Sequence, residues 1–162
     1  MAAEAQATRK LRAASPDEAP ALSALAKRAK AHWGYSQTFM QVCDAELNYD
    51  REDITDNPFF VLQRETRVVG FYALRRRSTE QAELQALFVE PQFIGTGCGR
   101  ELIEHAKTTA TTLGFRELII QSDPNAVPFY IAAGGVQTGT RESGSIPGRL
   151  LPLFRISLSE TG

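Results

Sequence analysis

An α+β fold, a mixed sheet with helices on its faces, is the architecture this sequence predicts. Three observations carry it. The hydrophobic period switches between strand-like and helix-like in the order βααβββαβαββ. At the centre, residues 87–114 run from apolar, β-prone side chains through Pro91 and three alternate glycines into an amphipathic helix. Finally, 162 residues that are 43% apolar and 23% charged supply one core, with no repeat or linker, so 1–162 reads as a single domain.

Residues 1–7, small and mixed in polarity, read as a frayed tail. Residues 8–14 form the first strand, anchored by Leu11. Ser15-Pro16-Asp17-Glu18 is a helix start, with Ser15 as cap, Pro16 at the first position and Glu18 completing a capping box. Leu22, Leu25, Ala26 and Ala29 give that helix its buried stripe. His32-Trp33-Gly34-Tyr35 breaks it, and Ser36 caps a second helix carrying Phe39, Met40, Cys43 and Leu47 on one face. Residues 48–57, polar and acidic, are expected as a loop.

From Pro58 the period becomes strand-like. Residues 59–63 and 68–75 flank Arg64-Glu65-Thr66-Arg67 as a hairpin, and Arg75, Arg76 and Arg77 close it as a solvated end. Residues 82–89 form the strand that feeds the glycines. Simple alternation places Glu83, Gln85, Leu87 and Val89 on one face and Leu84, Ala86 and Phe88 on the other. The central helix buries Leu102, Ile103, Ala106, Ala110 and Leu113 and stops at Gly114. A short strand over 117–121, a helix from Asp123-Pro124 to about Ala133, and strands over 136–142 and 150–158 complete the chain.

A strand, a glycine turn and a helix start are the geometry for holding a phosphate. Alternate glycines let the backbone approach an anion and point successive N–H groups at it, and the helix N-terminus adds unpaired donors and about half a positive charge. Spacing selects among such cradles. A dinucleotide fingerprint needs a third glycine where Arg100 stands, and a P-loop needs lysine and a hydroxyl after Gly99.

Ile94-Gly95-Thr96-Gly97-Cys98-Gly99 instead resembles the R/Q-x-x-G-x-G/A signature of the GCN5-related N-acetyltransferase (GNAT) family, with Ile94 in the usual Arg/Gln slot. The resemblance runs from about Thr8 to the C-terminus, element by element, and implies a mostly antiparallel sheet with helices on both faces. It also implies acetyl-CoA as cosubstrate. The diphosphate would be held at Ile94, Gly95, Thr96, Gly97, Cys98, Gly99 and Arg100, and the pantetheine arm by the backbone of Leu87, Phe88 and Val89.

A second motif of the family, N-x-x-A-x-x-x-Y-x-x-x-G, is matched from Ala126 to Gly134. It implies Tyr130 as the acid that protonates the departing thiolate, with Phe129 beside it on the cofactor. A phenol of pKa ~10 suits a thiol near ~8.5, since both are protonated near neutrality. Asp123 stands where the family usually has Asn, and of Asp123 and Asn125 the latter is favoured for pantetheine because its amide both donates and accepts. Many family members carry a base glutamate where Glu83 lies; His32 and water are the alternatives.

The resemblance also places the acceptor between the first two helices and the last hairpin. Trp33 and Tyr35 can box the acceptor, His32 lies beside them, and Arg149 can pair with a carboxylate. The expected activity is N-acetylation of a small-molecule amine or amino-acid-like acceptor. An acyl-CoA-binding sensor without turnover is the alternative. Similar proteins are often dimers, so a homodimer is an open expectation.

A net charge of −1 with mixed signs argues against a nucleic-acid or membrane-surface binder. Two cysteines and two histidines give no metal-ligand cluster. No apolar run is long enough to span a bilayer, and the chain reads as a reduced, cytoplasmic protein.

Overall fold

The computed structural model describes residues 9–158. Its seven strands are β1 (Arg9–Ala13), β2 (Phe59–Arg64), β3 (Arg67–Arg76), β4 (Gln81–Val89), β5 (Glu117–Gln121), β6 (Val136–Glu142) and β7 (Leu150–Ser157). They form one sheet in the order β1-β2-β3-β4-β5-β7-β6. Every neighbouring pair is antiparallel except β4 and β5, which are parallel because a helix crosses between them. The α-helices are α1 (Ala19–Ala31), α2 (Gln37–Cys43), α3 (Arg51–Asp56), α4 (Cys98–Thr112) and α5 (Val127–Ala132). None in the described residues is long and apolar enough to cross a membrane.

The expected order holds with one addition. Helix α3 lies within 48–57, the stretch expected as a loop. Its signal is a capping box in acidic disguise: the Asp50 side chain accepts from the Asp53 amide, and the Asp53 side chain accepts from the Asp50 amide. Ile54 then buries the one apolar side chain of the helix. The tail over 1–7 and the strand start at Thr8 lie outside the described residues.

Two cores sandwich the sheet. Leu22, Leu25 and Ala26 of α1 pack on Val61, Phe71, Ala73 and Ala86. On the other face Leu102, Ile103, Ala106 and Ala110 of α4 pack on Leu62, Tyr72, Leu74 and Leu84. The central strands are therefore apolar on both sides. Leu113, expected in the α4 stripe, is instead 50% exposed. A Schellman motif explains it: Gly114 turns left-handed at φ +94°, and the amides of Gly114 and Phe115 donate to Thr111 and Ala110. Phe115 then enters the core in place of Leu113.

Strand β4 carries the feature that shapes the site. Ala73 pairs with Ala86 and Leu74 with Leu84, so Gln85 is an extra residue in a β-bulge. The bulge reverses the alternation. Ala82 and Leu84 face the α4 core before it, whereas Ala86 and Phe88 face the α1 core after it. The expected common face of Glu83, Leu87 and Val89 is thus corrected: Glu83 shares its face with Ala86 and Phe88, while Leu87 and Val89 pack toward α4. Pairing of β4 with β5 ends at Glu83 and Ile119, after three residue pairs, and the two strands then part.

Candidate active site

The glycine turn is built as a bare backbone nest. Gly95 and Gly97 have φ of +82° and +91°, a region that L side chains enter only under strain. Gly97 is the cap of α4, whose 15 residues aim their positive end at the turn. Among the described residues, the amides of Gly95, Gly97, Cys98, Gly99 and Arg100 have no protein acceptor. A Cβ at Gly95 would meet nothing within 4 Å, and one at Gly97 only an Arg9 nitrogen at 3.8 Å. Own side chains therefore leave the bend open, and five converging donors suit a diphosphate.

Behind the nest the turn is braced from a distant strand. Arg9 of β1 donates to the Thr96 carbonyl at 3.1 Å and to Cys98 Sγ at 3.4 Å, and pairs with Glu101 at 2.5 Å. The Thr96 hydroxyl donates to the Phe93 carbonyl at 2.5 Å, and Cys98 is buried. Sequence reasoning missed Arg9, and no local signal marks a residue that acts across 87 positions. Ile94, in the Arg/Gln slot, is 44% exposed.

The parting of β4 and β5 opens a cleft of about 820 Å³. It is lined by Glu83, Leu87, Phe88 and Val89 of β4, by Ile94, Gly95, Gly97, Gly99 and Arg100 of the nest, and by Asn125, Phe129 and Tyr130. Thr96 and Cys98 do not line it, because their side chains turn back to brace the bend. Phe129 closes the far side of the nest: a Cβ at Gly99 would stand 3.0 Å from its ring, so glycine lets helix and ring meet.

Tyr130 is buried, and among the described residues its hydroxyl has no hydrogen-bond partner. Burial, and then the charge of Asp123, push its phenol well above the ordinary tyrosine range. Glu83, where the strands separate, holds the Arg75 guanidinium on Oε1 at 3.2 Å. Gln85 lines the same cleft, and its Oε1 is buried without a partner among the described residues.

The other end of the cleft is a polar cluster drawn from three parts of the chain. The Tyr35 hydroxyl lies 2.8 and 3.0 Å from the two Asp123 oxygens, and accepts from Arg149 at 2.9 Å and Asn125 at 3.1 Å. Tyr35 stacks on Phe39 at 4.1 Å, and the Arg149 guanidinium lies 4.8 Å from the Phe39 ring. Asp123 also caps the turn that leads into α5. Both candidates for a pantetheine contact, Asp123 and Asn125, line the cleft, bonded to each other and to Tyr35.

Tyr35 bonds Asp123, Asn125 and Arg149 without lining the cleft itself, whereas Trp33, Lys30 and Arg149 line this end. His32 does not. Ala29, Lys30 and Trp33 share the helical face turned to the cleft, and His32 lies about 100° around from Trp33, exposed and edge-on to it. The structure thus leaves His32 outside the lining of the cleft, next to Trp33.

A family model described as an acetyltransferase (GNAT) domain matches residues 11–144. A search of curated proteins found no match. The PaiA N-acetyltransferase of Thermoplasma acidophilum, solved with coenzyme A, superposes with a TM-score of 0.78 at 19% identity, over 93% of this chain and 99% of that one. The ribosomal-protein-S18-alanine N-acetyltransferase of Escherichia coli gives 0.71 at 17% identity, over 96% and 97%. A GNAT acetyltransferase of Elizabethkingia anophelis with acetyl-CoA bound gives 0.66 at 16%, over 93% and 97%. The structures share the fold, and the family model spans most of the chain: this protein belongs to the GNAT acetyltransferase family.

Proposed function

We propose that the chain is an N-acetyltransferase that moves the acetyl group of acetyl-CoA to a primary amine of a small-molecule or amino-acid-like acceptor. The observation that carries this reading is the row of five unpaired amides at the start of α4, opening onto the cleft that holds Glu83 and Tyr130. When bound, acetyl-CoA supplies an activated carbonyl and a thiolate leaving group.

The amides of the nest hold the diphosphate, and the β4 backbone beyond Glu83, freed from β5, aligns the arm that follows. Glu83 takes a proton from the acceptor ammonium, directly or through water. Arg75 occupies only Oε1, and Oε2 has no partner among the described residues. The amine nitrogen bonds to the carbonyl carbon as the carbon–sulfur bond breaks, and the second proton that the nitrogen sheds passes to solvent water. Tyr130 donates to the sulfur in that step and regains its proton from solvent, so amine and thioester become amide and thiol. Its raised pKa keeps the phenol protonated throughout the neutral range. It also makes Tyr130 a weak acid, so donation is coupled to the cleavage rather than completed before it.

The test is thiol release from acetyl-CoA across a panel of primary amines, alongside calorimetry with CoA. The expected result is CoA binding together with release for at least one amine. Tight CoA binding with no release for any amine would replace this reading with that of a sensor.

A further inference from the structure

The acceptor end of the cleft holds more hydrogen-bond donors than it uses. The Lys30 side chain is only 13% exposed, yet its nearest carboxylates, Glu46 and Asp123, are 3.8 and 3.9 Å away. Among the described residues no group accepts a hydrogen bond from its ammonium. Both carboxylates have closer partners: Ser145 at 2.6 Å from Glu46, and Tyr35 at 2.8 Å from Asp123. Arg149 is in the same condition. One of its N–H groups goes to Tyr35, its plane lies against Phe39, and the rest of its edge has no acceptor among the described residues. A mostly buried cation with idle donors is costly. Here two line one cleft, each within 6 Å of the same stacked pair, Tyr35 and Phe39.

We propose that Lys30 and Arg149 anchor a carboxylate on the acceptor, so that the substrate is an amino acid or a carboxylate-bearing amine rather than a simple amine or polyamine. The inference deepens the acetyltransferase reading and rests on it. A guanidinium edge and an ammonium lining one cleft match an oxyanion in charge and hydrogen-bonding capacity. The local carboxylates already balance the two cations, so the anion is drawn by unfilled donors at short range rather than by excess charge. Trp33, 44% exposed at the rim, offers a flat apolar surface to the acceptor's side chain.

Matched pairs decide it: phenylalanine with phenethylamine, methionine with 3-(methylthio)propylamine, lysine with cadaverine. Each is assayed by thiol release from acetyl-CoA and by equilibrium binding to the CoA-loaded full chain. In at least one pair the carboxylated member is expected to be favoured by about tenfold or more in kcat/KM and in affinity. Lys30→Gln and Arg149→Gln are each expected to pull that ratio toward one while CoA affinity stays the same. A ratio at or below one in every pair overturns the proposal, as does a ratio that survives the double variant, or no acceptor binding at all. Acetylation without preference sinks this inference alone. Carboxylate-selective binding without transfer upholds the anchor and sinks the enzymatic reading.

Discussion

Tyr35 and Asp123, 88 residues apart in sequence, meet through a hydroxyl and a carboxylate at 2.8 Å and tie the α1–α2 break to the end of β5. The same hydroxyl accepts from Arg149 and Asn125, so it ties together three side chains that line the cleft's acceptor end. Tyr35→Phe removes all of these bonds and leaves the ring stack on Phe39. Loss of a hydrogen bond to a charged group at a half-buried site predicts about 1–2 kcal/mol of destabilisation. For a chain of this size that is a fall in Tm of about 2–8 °C. Acceptor KM should rise and acetyl-CoA KM should hold. Thermal melts and steady-state kinetics check both, and a change confined to acetyl-CoA KM would contradict the assignment of this cluster to the acceptor.

Gly97→Val tests the nest. The residue is left-handed, so any L side chain there costs about 1–2 kcal/mol, yet a Cβ meets only Arg9 at 3.8 Å. The fold should therefore survive with a modest loss of Tm. CoA affinity should fall by about a hundredfold or more, because the branched side chain fills the space in front of the amides. Calorimetry with CoA on the folded variant reads this directly, and unchanged affinity would mean that the diphosphate lies elsewhere.

Tyr130→Phe separates acid catalysis from packing. The ring remains against Phe129 and Phe154, at centroid distances of 5.0 and 6.3 Å, so stability and acetyl-CoA KM should change little. The proton donor is lost, and kcat should drop by about 10²-fold. Because burial raises the phenol's pKa, wild-type activity should not decline through loss of this proton as pH approaches 10. A wild-type kcat in the variant would remove Tyr130 from the chemistry.

How much of this was legible beforehand follows the range of the interactions. Gly95, Gly97 and Gly99 stand at fixed spacing before an amphipathic helix, so local chemistry alone predicts a cradle, and the periods of the surrounding segments predict the order of elements. The bulge at Gln85 was invisible because it arises from register with β3. It moved Glu83 to the opposite face from the one simple alternation assigns. Arg9, Lys30 and the Tyr35–Asp123 bond act across 87, 93 and 88 positions, and no window of sequence records such meetings. Helix α3 differs, since its capping box of Asp50 and Asp53 is local, and only the shortness and acidity of the segment favour a loop there.

Gln85 gives a prediction of opposite sign from the others. Its buried Oε1 lacks a partner, and a buried acceptor left unsatisfied costs about 1–3 kcal/mol. Gln85→Leu, close in volume, should raise Tm in the free protein. Because Gln85 lines the cleft that also holds Glu83 and Tyr130, that gain should come with a change in acceptor kinetics. A lower Tm on replacement would mean that the oxygen is satisfied in solution.

His105 sets an acid limit on stability. Its Nδ1 lies 2.7 Å from the Tyr72 hydroxyl, its ring packs on Phe60 at 5.0 Å, and burial pushes its pKa below the ordinary histidine value. The folded state thus prefers neutral imidazole, and the unfolded chain binds the proton more readily. Its contribution is present in full above the unfolded value, near ~6.5, and is lost as pH falls through the lower folded value. Tyr49, Tyr72 and Tyr130 behave in the opposite sense. Burial raises all three, so the folded state resists ionisation and stability falls once pH exceeds the unfolded value, near ~10. Denaturant midpoints measured from pH 5 to 10.5 should therefore form a plateau with a shoulder on each side. His105→Asn should flatten the acid shoulder and leave most of the alkaline one in place, because Tyr49 and Tyr130, unlike Tyr72, make no contact with His105. If the acid shoulder persists unchanged in that variant, carboxylates rather than this imidazole set the limit.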